Sequence, residues 1–260
     1  MSRLVARIIA GAWIILGLTG CAGMGGSGRA DPDRVLNAIV VDDAAYVRSA
    51  VQTGALNINQ RIPAEAYPDG APLIALAARS ASLDVLRYLI SAGADVNART
   101  PVQETPLMLA SFFFDEGQLG QGRGFERHER AARLLVEAGA DLENYPHNYT
   151  PLAYAAYQGN ENIVRFLLQR GARVNADAQR GGAYINTPLM MAAIQGHERI
   201  VRVLLSSGAD ADVRIHNGHT AAELAAKHNH RALAQLLMCA QKRYGATASH
   251  CRNTLGALTP

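Results

Sequence analysis

The chain has 260 residues, 49% hydrophobic and 18% charged, a balance that excludes wholesale disorder and leaves room for one or two domains with a core. Lys and Arg number 25 against 22 Asp and Glu; the formal charge of +3 falls to +1 once Arg3 and Arg7 of the first segment are subtracted. That argues against a nucleic-acid partner, because phosphate binding needs a basic surface, and three cysteines are too few for a disulfide scaffold or a four-cysteine zinc site.

Residues 1–20 read as an address. Arg3 and Arg7 form a positive region, Ile8 to Leu18 is an apolar run of eleven residues, and Leu18-Thr19-Gly20-Cys21 follows. A spanning helix needs about 20 apolar residues, so the run fits the core of a signal peptide instead. Leu-Thr-Gly-Cys resembles the lipobox of bacterial lipoproteins. The resemblance implies cleavage before Cys21, acylation of its thiol, and a mature chain of 240 residues. Several acyl chains on one residue anchor stably where one would not. Ala22 follows, not the Asp of an inner-membrane retention signal, which favours the outer membrane. Residues 22–32 are small and Gly-rich, a flexible tether. Gly23-x-Gly25-x-x-Gly28 matches a dinucleotide fingerprint literally, but neither a strand nor a helix pattern frames it.

The remainder repeats. Gly-Ala-Asp or a variant recurs at Gly93, Gly139, Gly171 (as Gly-Ala-Arg173) and Gly208, with a weaker copy at Gly54. Thr-Pro-Leu recurs at Thr105, Thr150 and Thr187, with Thr220-Ala221-Ala222-Glu223 as a degenerate last copy. Thr150 to Gly171 and Thr187 to Gly208 each span 21 residues, and Gly93 to Thr105 and Gly208 to Thr220 each span 12. Together these make 33, the ankyrin period, and over about residues 33–241 the chain resembles ankyrin-repeat proteins. The spelling has a physical cause. Thr caps a helix whose first residue, Pro, has no N–H to leave unpaired. A second helix carries Ile163-Val164-x-x-Leu167-Leu168 or Ile200-Val201-x-x-Leu204-Leu205 on one face. Gly ends it in the left-handed conformation, and a turn finger projects before the next unit.

The first unit lacks Thr-Pro; Asp33, 21 residues before Gly54, is its candidate cap. The second has Pro72 where Thr belongs, so either Ala71 caps a longer helix or the phrase is degenerate. Departures from the period locate insertions. Gly54 to Pro72 is six residues too long, a long finger holding Ile62-Pro63 and Tyr67-Pro68. Gly171 to Thr187 is four too long, and Thr105 to Gly139 is thirteen too long. The last excess falls around 115–127, where glycines predict a loop between the helices of the third unit. It is either neutral growth at a permissive site or part of a binding face.

The ankyrin resemblance implies that partners touch the end of each first helix and the finger tips. By position these are Arg79 and Ser80, Phe112 and Phe113, Tyr157 and Gln158, Ile194 and Gln195, and Lys227 and His228. The fingers add Arg99, Tyr145, His147, Tyr149, Arg180, Tyr184, Arg214 and His216. Three consecutive aromatics, Phe112-Phe113-Phe114, cannot all hide on one helical stripe. Either one faces the groove or the insertion folds over them. With Tyr157 and Ile194 beside them, the middle of the groove reads as aromatic and apolar, a composition enriched at interface hot spots.

Other chemistry is sparse. No nucleophile motif is present, and His128-Glu129 and His197-Glu198 both lack the second His of a zinc protease. The histidines near 216–230 invite a metal reading, but the resemblance gives His197 and His230 a structural role, bonding one repeat to the next. With Cys21 lipidated, Cys239 and Cys251 remain in an oxidising compartment, and a disulfide would pin the tail over the last repeat, worth about 2–3 kcal/mol on the loop-entropy estimate.

The expected fold is therefore an all-α ankyrin-repeat solenoid of about six helix-pair repeats with β-turn fingers. Its segments are a leader (1–20), a tether (21–32), repeats (33–244) and a tail (245–260). The expected function is protein binding on the periplasmic face of a bacterial envelope, without catalysis, cofactor or metal. The first candidate partner is a toxic envelope-targeting enzyme, which the chain would inhibit as an immunity protein. The alternative is accessory service to a resident periplasmic enzyme, in oxidative-stress defence; an enzyme is the third class.

Overall fold

The computed structural model describes residues 28–112, 123–143, 149–176, 186–214 and 218–241. Its elements, in chain order, are α1 (Pro32–Val40), α2 (Ala44–Gln52), β1 (Arg61–Ala64), β2 (Tyr67–Pro72), α3 (Leu73–Arg79), α4 (Leu83–Ser91), α5 (Pro106–Ser111), α6 (Arg123–Glu137), α7 (Pro151–Gln158), α8 (Glu161–Gln169), α9 (Pro188–Gln195), α10 (Glu198–Ser206), α11 (Ala221–Lys227) and α12 (Arg231–Ala240). They fall into two compact units. One holds the described residues up to Pro106 and those from 123 to Gly139; the other holds Leu107–Phe112 and those from Ala140 onward.

In the second unit the caps follow the spelling. The hydroxyls of Thr150, Thr187 and Thr220 accept from the backbone N–H of Ala153, Met190 and Glu223. Thr220 lacks the Pro, and Glu223 compensates: its carboxylate accepts from the Thr220 N–H, closing a capping box. First helices pack on first helices, α7 on α9 and α9 on α11, while α8 packs on α10. The first helices bury nearly their whole length, which their alanines permit. The second helices bury one stripe, Ile163, Val164, Phe166 and Leu167 in α8 and Ile200, Val201, Val203 and Leu204 in α10. Their solvent faces carry Glu161–Arg165 and Glu198–Arg202 pairs four residues apart.

In the first unit α1 packs on α3, α2 on α4, and α4 on α6. One expectation is corrected here, one open alternative is resolved and one finger gains its form. The cap of α1 is Asp31, not Asp33: its carboxylate accepts from the Asp33 N–H, and Pro32 takes the position of a Thr-Pro proline. Ala71 caps nothing. Pro72 precedes α3 without a side-chain cap bond, so the phrase is degenerate. The long first finger is not a bare turn but an antiparallel hairpin, β1 pairing Ile62 with Ala71 and Ala64 with Tyr67, with an irregularity at Pro63. A proline that cannot donate to the ladder accounts for that break, and burial of Ile62 and Tyr67 against the unit accounts for the hairpin. The fold thus includes a small sheet within an otherwise helical chain.

A second correction concerns the 115–127 insertion. Residues 113–122 lie outside the described residues, but α6 begins at Arg123 and runs 15 residues against nine in α8 and α10. Arg127, expected in a loop, is helical. Its guanidinium donates to the Asp42 carboxylate at 2.9 Å and to the Ala81 carbonyl at 3.2 Å.

Neighbouring fingers are tied by a ladder the sequence reading did not foresee. The Asn59 side chain accepts from the Asp95 N–H at 3.1 Å in the first unit. In the second, Glu143 accepts from the Arg173 N–H at 2.7 Å and Asn175 from the Asp210 N–H at 3.0 Å. Asn175 also donates to the Gly208 carbonyl. Where Gly-Ala-Asp becomes Gly-Ala-Arg173, the amide partner becomes a glutamate.

Candidate functional site

The site sits on the second unit, at the ends of its first helices. The Thr cap marks the start of each helix, so the residue seven positions after each Thr falls in register: Phe112, Tyr157, Ile194 and Lys227. The next positions are Gln158, Gln195 and His228. Phe112, just past α5, stacks on Tyr157 with centroids 6.2 Å apart and planes 14° from parallel. It meets Tyr154 edge-on at 5.6 Å, and Tyr154 meets Tyr149 edge-on at 6.2 Å. All four rings are half-buried. They form one cluster of large rings in mutual contact. Tyr154 was missed, although it lies three residues before Tyr157 and so shares its helix face.

Ile194 is corrected. It stands in register with Tyr157 but is only 8% exposed, because α7 and α11 flank α9 on both sides. It forms a floor, and the exposed group there is Gln195. Gln158 is half-buried at the end of α7, and Lys227 is exposed at the end of α11. Arg214 donates to the Gly218 carbonyl and pairs with Glu223 at 3.3 Å, which occupies it structurally. Phe113, Tyr145, His147, Arg180, Tyr184 and His216 lie outside the described residues, as do Cys21 and Cys251. Cys239 is buried and held in a disulfide.

The backbone beneath these residues is pinned by two histidines. The His197 Nε2 lies 3.0 Å from the Tyr157 carbonyl, and the His230 Nε2 lies 3.1 Å from the Ile194 carbonyl. A carbonyl only accepts, so Nε2 carries the proton in both. Each histidine thus bonds its helix pair to the preceding one, as the ankyrin resemblance implied. Both rings lie over glycines at positive φ, Gly159 and Gly196. Burial holds His197 below its ordinary 6.5; the Tyr157 carbonyl opposes that shift and His230 adds to it. The unfolded chain therefore binds this proton more tightly, and stability is full above about pH 6.5 and falls as pH drops through the lowered value. The melting temperature should fall more between about pH 7.5 and 5.5 in the wild type than in His197→Gln. Equal slopes would contradict the assignment.

In the first unit, the end of α3 has a different use. Arg79 lies 6.0 Å over the Tyr67 ring, whose hydroxyl donates to the Glu104 carboxylate at 2.7 Å. Tyr67 is 4% exposed and Glu104 5%. Burial first, then the Glu104 charge, raises the Tyr67 phenol far above its ordinary value. This cluster is a buried structural link between β2 and the following finger. Among the described residues, no three His, Cys, Asp or Glu side chains converge to hold a metal, and no helix is long and apolar enough to cross a membrane.

Stacked short-helix pairs with capped Thr-Pro starts and left-handed glycine ends define a repeat protein that binds through its surface. Family models agree: "Ankyrin repeats (3 copies)" matches residues 124–178 and 176–248, and "Ankyrin repeat" matches 71–101. These matches cover more than half of the chain, which belongs to the ankyrin-repeat proteins, a family of protein-interaction domains that is generally non-catalytic. Similar curated proteins come from animals. The chain is 33% identical over 106 residues to a transient receptor potential cation channel subfamily A member 1 homolog of Caenorhabditis elegans, covering 41% of this chain and 8% of that protein. It is 40% identical over 102 residues to mouse ankyrin repeat and SOCS box protein 16, covering 39% of this chain and 21% of that protein. It is 39% identical over 79 residues to rat ankyrin repeat and SAM domain-containing protein 6, covering 30% and 8%. The chain thus spans about a fifth or less of the length of these relatives.

Proposed function

We propose that this chain is a non-catalytic protein-binding lipoprotein of a bacterial envelope. It would hold its partner on the Phe112–Tyr157 stack of the second unit and be anchored on the periplasmic side by acyl chains on Cys21. Six consecutive helix pairs would each form one repeat. The observation that supports the binding role is the half-buried aromatic cluster at the first-helix ends, beside the exposed Gln195 and Lys227. The anchor rests on the charged, apolar and Leu-Thr-Gly-Cys segments in their expected order. The partner class we favour is a toxic envelope-targeting enzyme. A tethered inhibitor raises its own local concentration where such an enzyme works, and no catalytic motif competes with that role.

Affinity capture by the full chain tests the binding role. Phe112→Asp should lower partner recovery at least about 30-fold, the loss expected at a hot spot, with the helical circular dichroism unchanged. Undiminished recovery would place the partner elsewhere. The mass of the chain extracted from membranes tests the anchor: an acylated Cys21 terminus is expected, and an unmodified terminus refutes it. A deletion strain separates the two partner classes. Loss of protection against sister cells supports immunity, and sensitivity to peroxide alone supports the accessory role.

A further inference from the structure

We infer that Arg127 is a clasp that couples the first helix pair of the chain, α1 and α2, to α6 across the intervening pair, α3 and α4, so that opening of the terminal pair is governed from α6. This coupling is independent of what the chain binds. The insertion places the clasp. The cap of α8, Asn160, stands eleven residues before Gly171. Eleven residues before Gly139 is His128, so a second helix of ordinary length would begin at Glu129. The Glu129–Arg133 pair agrees, matching Glu161–Arg165 and Glu198–Arg202 in the helices of the second unit. Instead α6 begins at Arg123. The added residues include Arg127, one place before His128, as Asp42 is one place before the α2 cap, Asp43, and Ala81 one place before Ser82 at the start of α4. Asp42, Ala81 and Arg127 are therefore equivalent positions of successive units.

One guanidinium reaches along this row. The Arg127 Nε donates to the Ala81 carbonyl at 3.2 Å, and Nη2 donates to the Asp42 carboxylate at 2.9 Å. The second carboxylate oxygen of Asp42 accepts from the Asp84 and Val85 N–H groups at the start of α4. Asp42 thus holds α4 and Arg127 at once, with its side chain 16% exposed, a setting in which charge is screened less than on an open surface. In a solenoid each repeat touches only its neighbours, and a terminal repeat is held from one side. Here α1 packs on α3 and α2 on α4, and the bond from α6 to Asp42 adds a link that skips a pair. The contrast is with His197 and His230, each of which reaches only the preceding pair. Any pull on the chain ahead of Pro32 meets α1 and α2 first, so the clasp stands where fraying begins.

Native-state hydrogen exchange of the full chain, read by mass spectrometry, tests this. Arg127→Ala should raise the exchange of the α1 and α2 amides about three- to fivefold, the factor a partly exposed ion pair carries, and leave α9 and α10 unchanged. Asp42→Asn removes the charge that Arg127 grips, so in that background Arg127→Ala should add less than about half of the same rise. Unchanged exchange in α1 and α2 would make Arg127 a local contact of α6 and overturn the clasp. So would an equal rise in α9 and α10, which marks a general loosening. The same added factor with and without Asp42→Asn would route the effect around Asp42, and that too would overturn it.

Discussion

Gly196→Ala should lower the unfolding free energy by about 3 kcal/mol or more, a large share of the stability of a typical domain. Gly196 closes α9 at φ +78, a conformation that costs an alanine about 1–2 kcal/mol. A β-carbon there also overlaps the His230 ring, and overpacking adds about 1–3 kcal/mol. If the ring moves aside, its bond to the Ile194 carbonyl goes with it. Gly171→Ala is the control. Its φ is +91, but open space surrounds the added carbon, so only the conformational cost of about 1–2 kcal/mol applies. Urea denaturation followed by circular dichroism compares them. Equal midpoints for the two variants would mean that His230 yields without cost. Gly159→Ala should resemble Gly196→Ala, because its added carbon meets the His197 ring at 2.7 Å.

The second large effect is expected at Asp42 in the first unit. Asp42 sits at φ +62 in the turn between α1 and α2. One carboxylate oxygen accepts from the Asp84 and Val85 N–H groups at 2.9 and 3.0 Å, capping α4 from the neighbouring helix pair. The other accepts from Arg127. Ser82, the residue at the cap position itself, makes no cap bond and donates to the Ile39 carbonyl instead. Asp42→Ala loses a cap worth about 1 kcal/mol and pays about 1 kcal/mol for a left-handed alanine. It also removes the Arg127 ion pair, leaving Arg127 its bond to the Ala81 carbonyl, and that partly exposed pairing adds less than about 1 kcal/mol. The sum is about 2–3 kcal/mol. Asp42→Asn keeps the turn and one acceptor, so about half of that loss is expected. Denaturant midpoints of the two variants decide the matter, and matching wild-type values for both would remove Asp42 from the structural account.

The repeat was legible because its signals are local. Thr-Pro and Gly sit within a few residues of the groups they serve, and the caps at Thr150 and Thr187 lie where the spelling puts them. Errors arose where a residue's role depends on distant chain. Asp31 was passed over for Asp33 because the count back from Gly54 outweighed the Asp-Pro pair, which is itself a helix-start signal. Arg127 meets Asp42 across 85 positions, a distance no window spans. Ile194 matched Tyr157 in register, but burial is decided by the helices on each side. Glu223 was readable: Thr followed three residues later by Glu is a capping box. In the site, the ring cluster around Phe112 was half visible, because Tyr157 and Tyr149 were named and Tyr154 between them was not.

The finger bonds make the copies non-interchangeable. Glu143 faces an arginine-bearing turn and Asn175 an aspartate-bearing one. Exchanging these two modules by recombination would set a carboxylate against an aspartate and leave the Gly208 carbonyl without its amide donor. The order of the segments is thus marked by charge, so a crossover that exchanged them would lose these finger bonds.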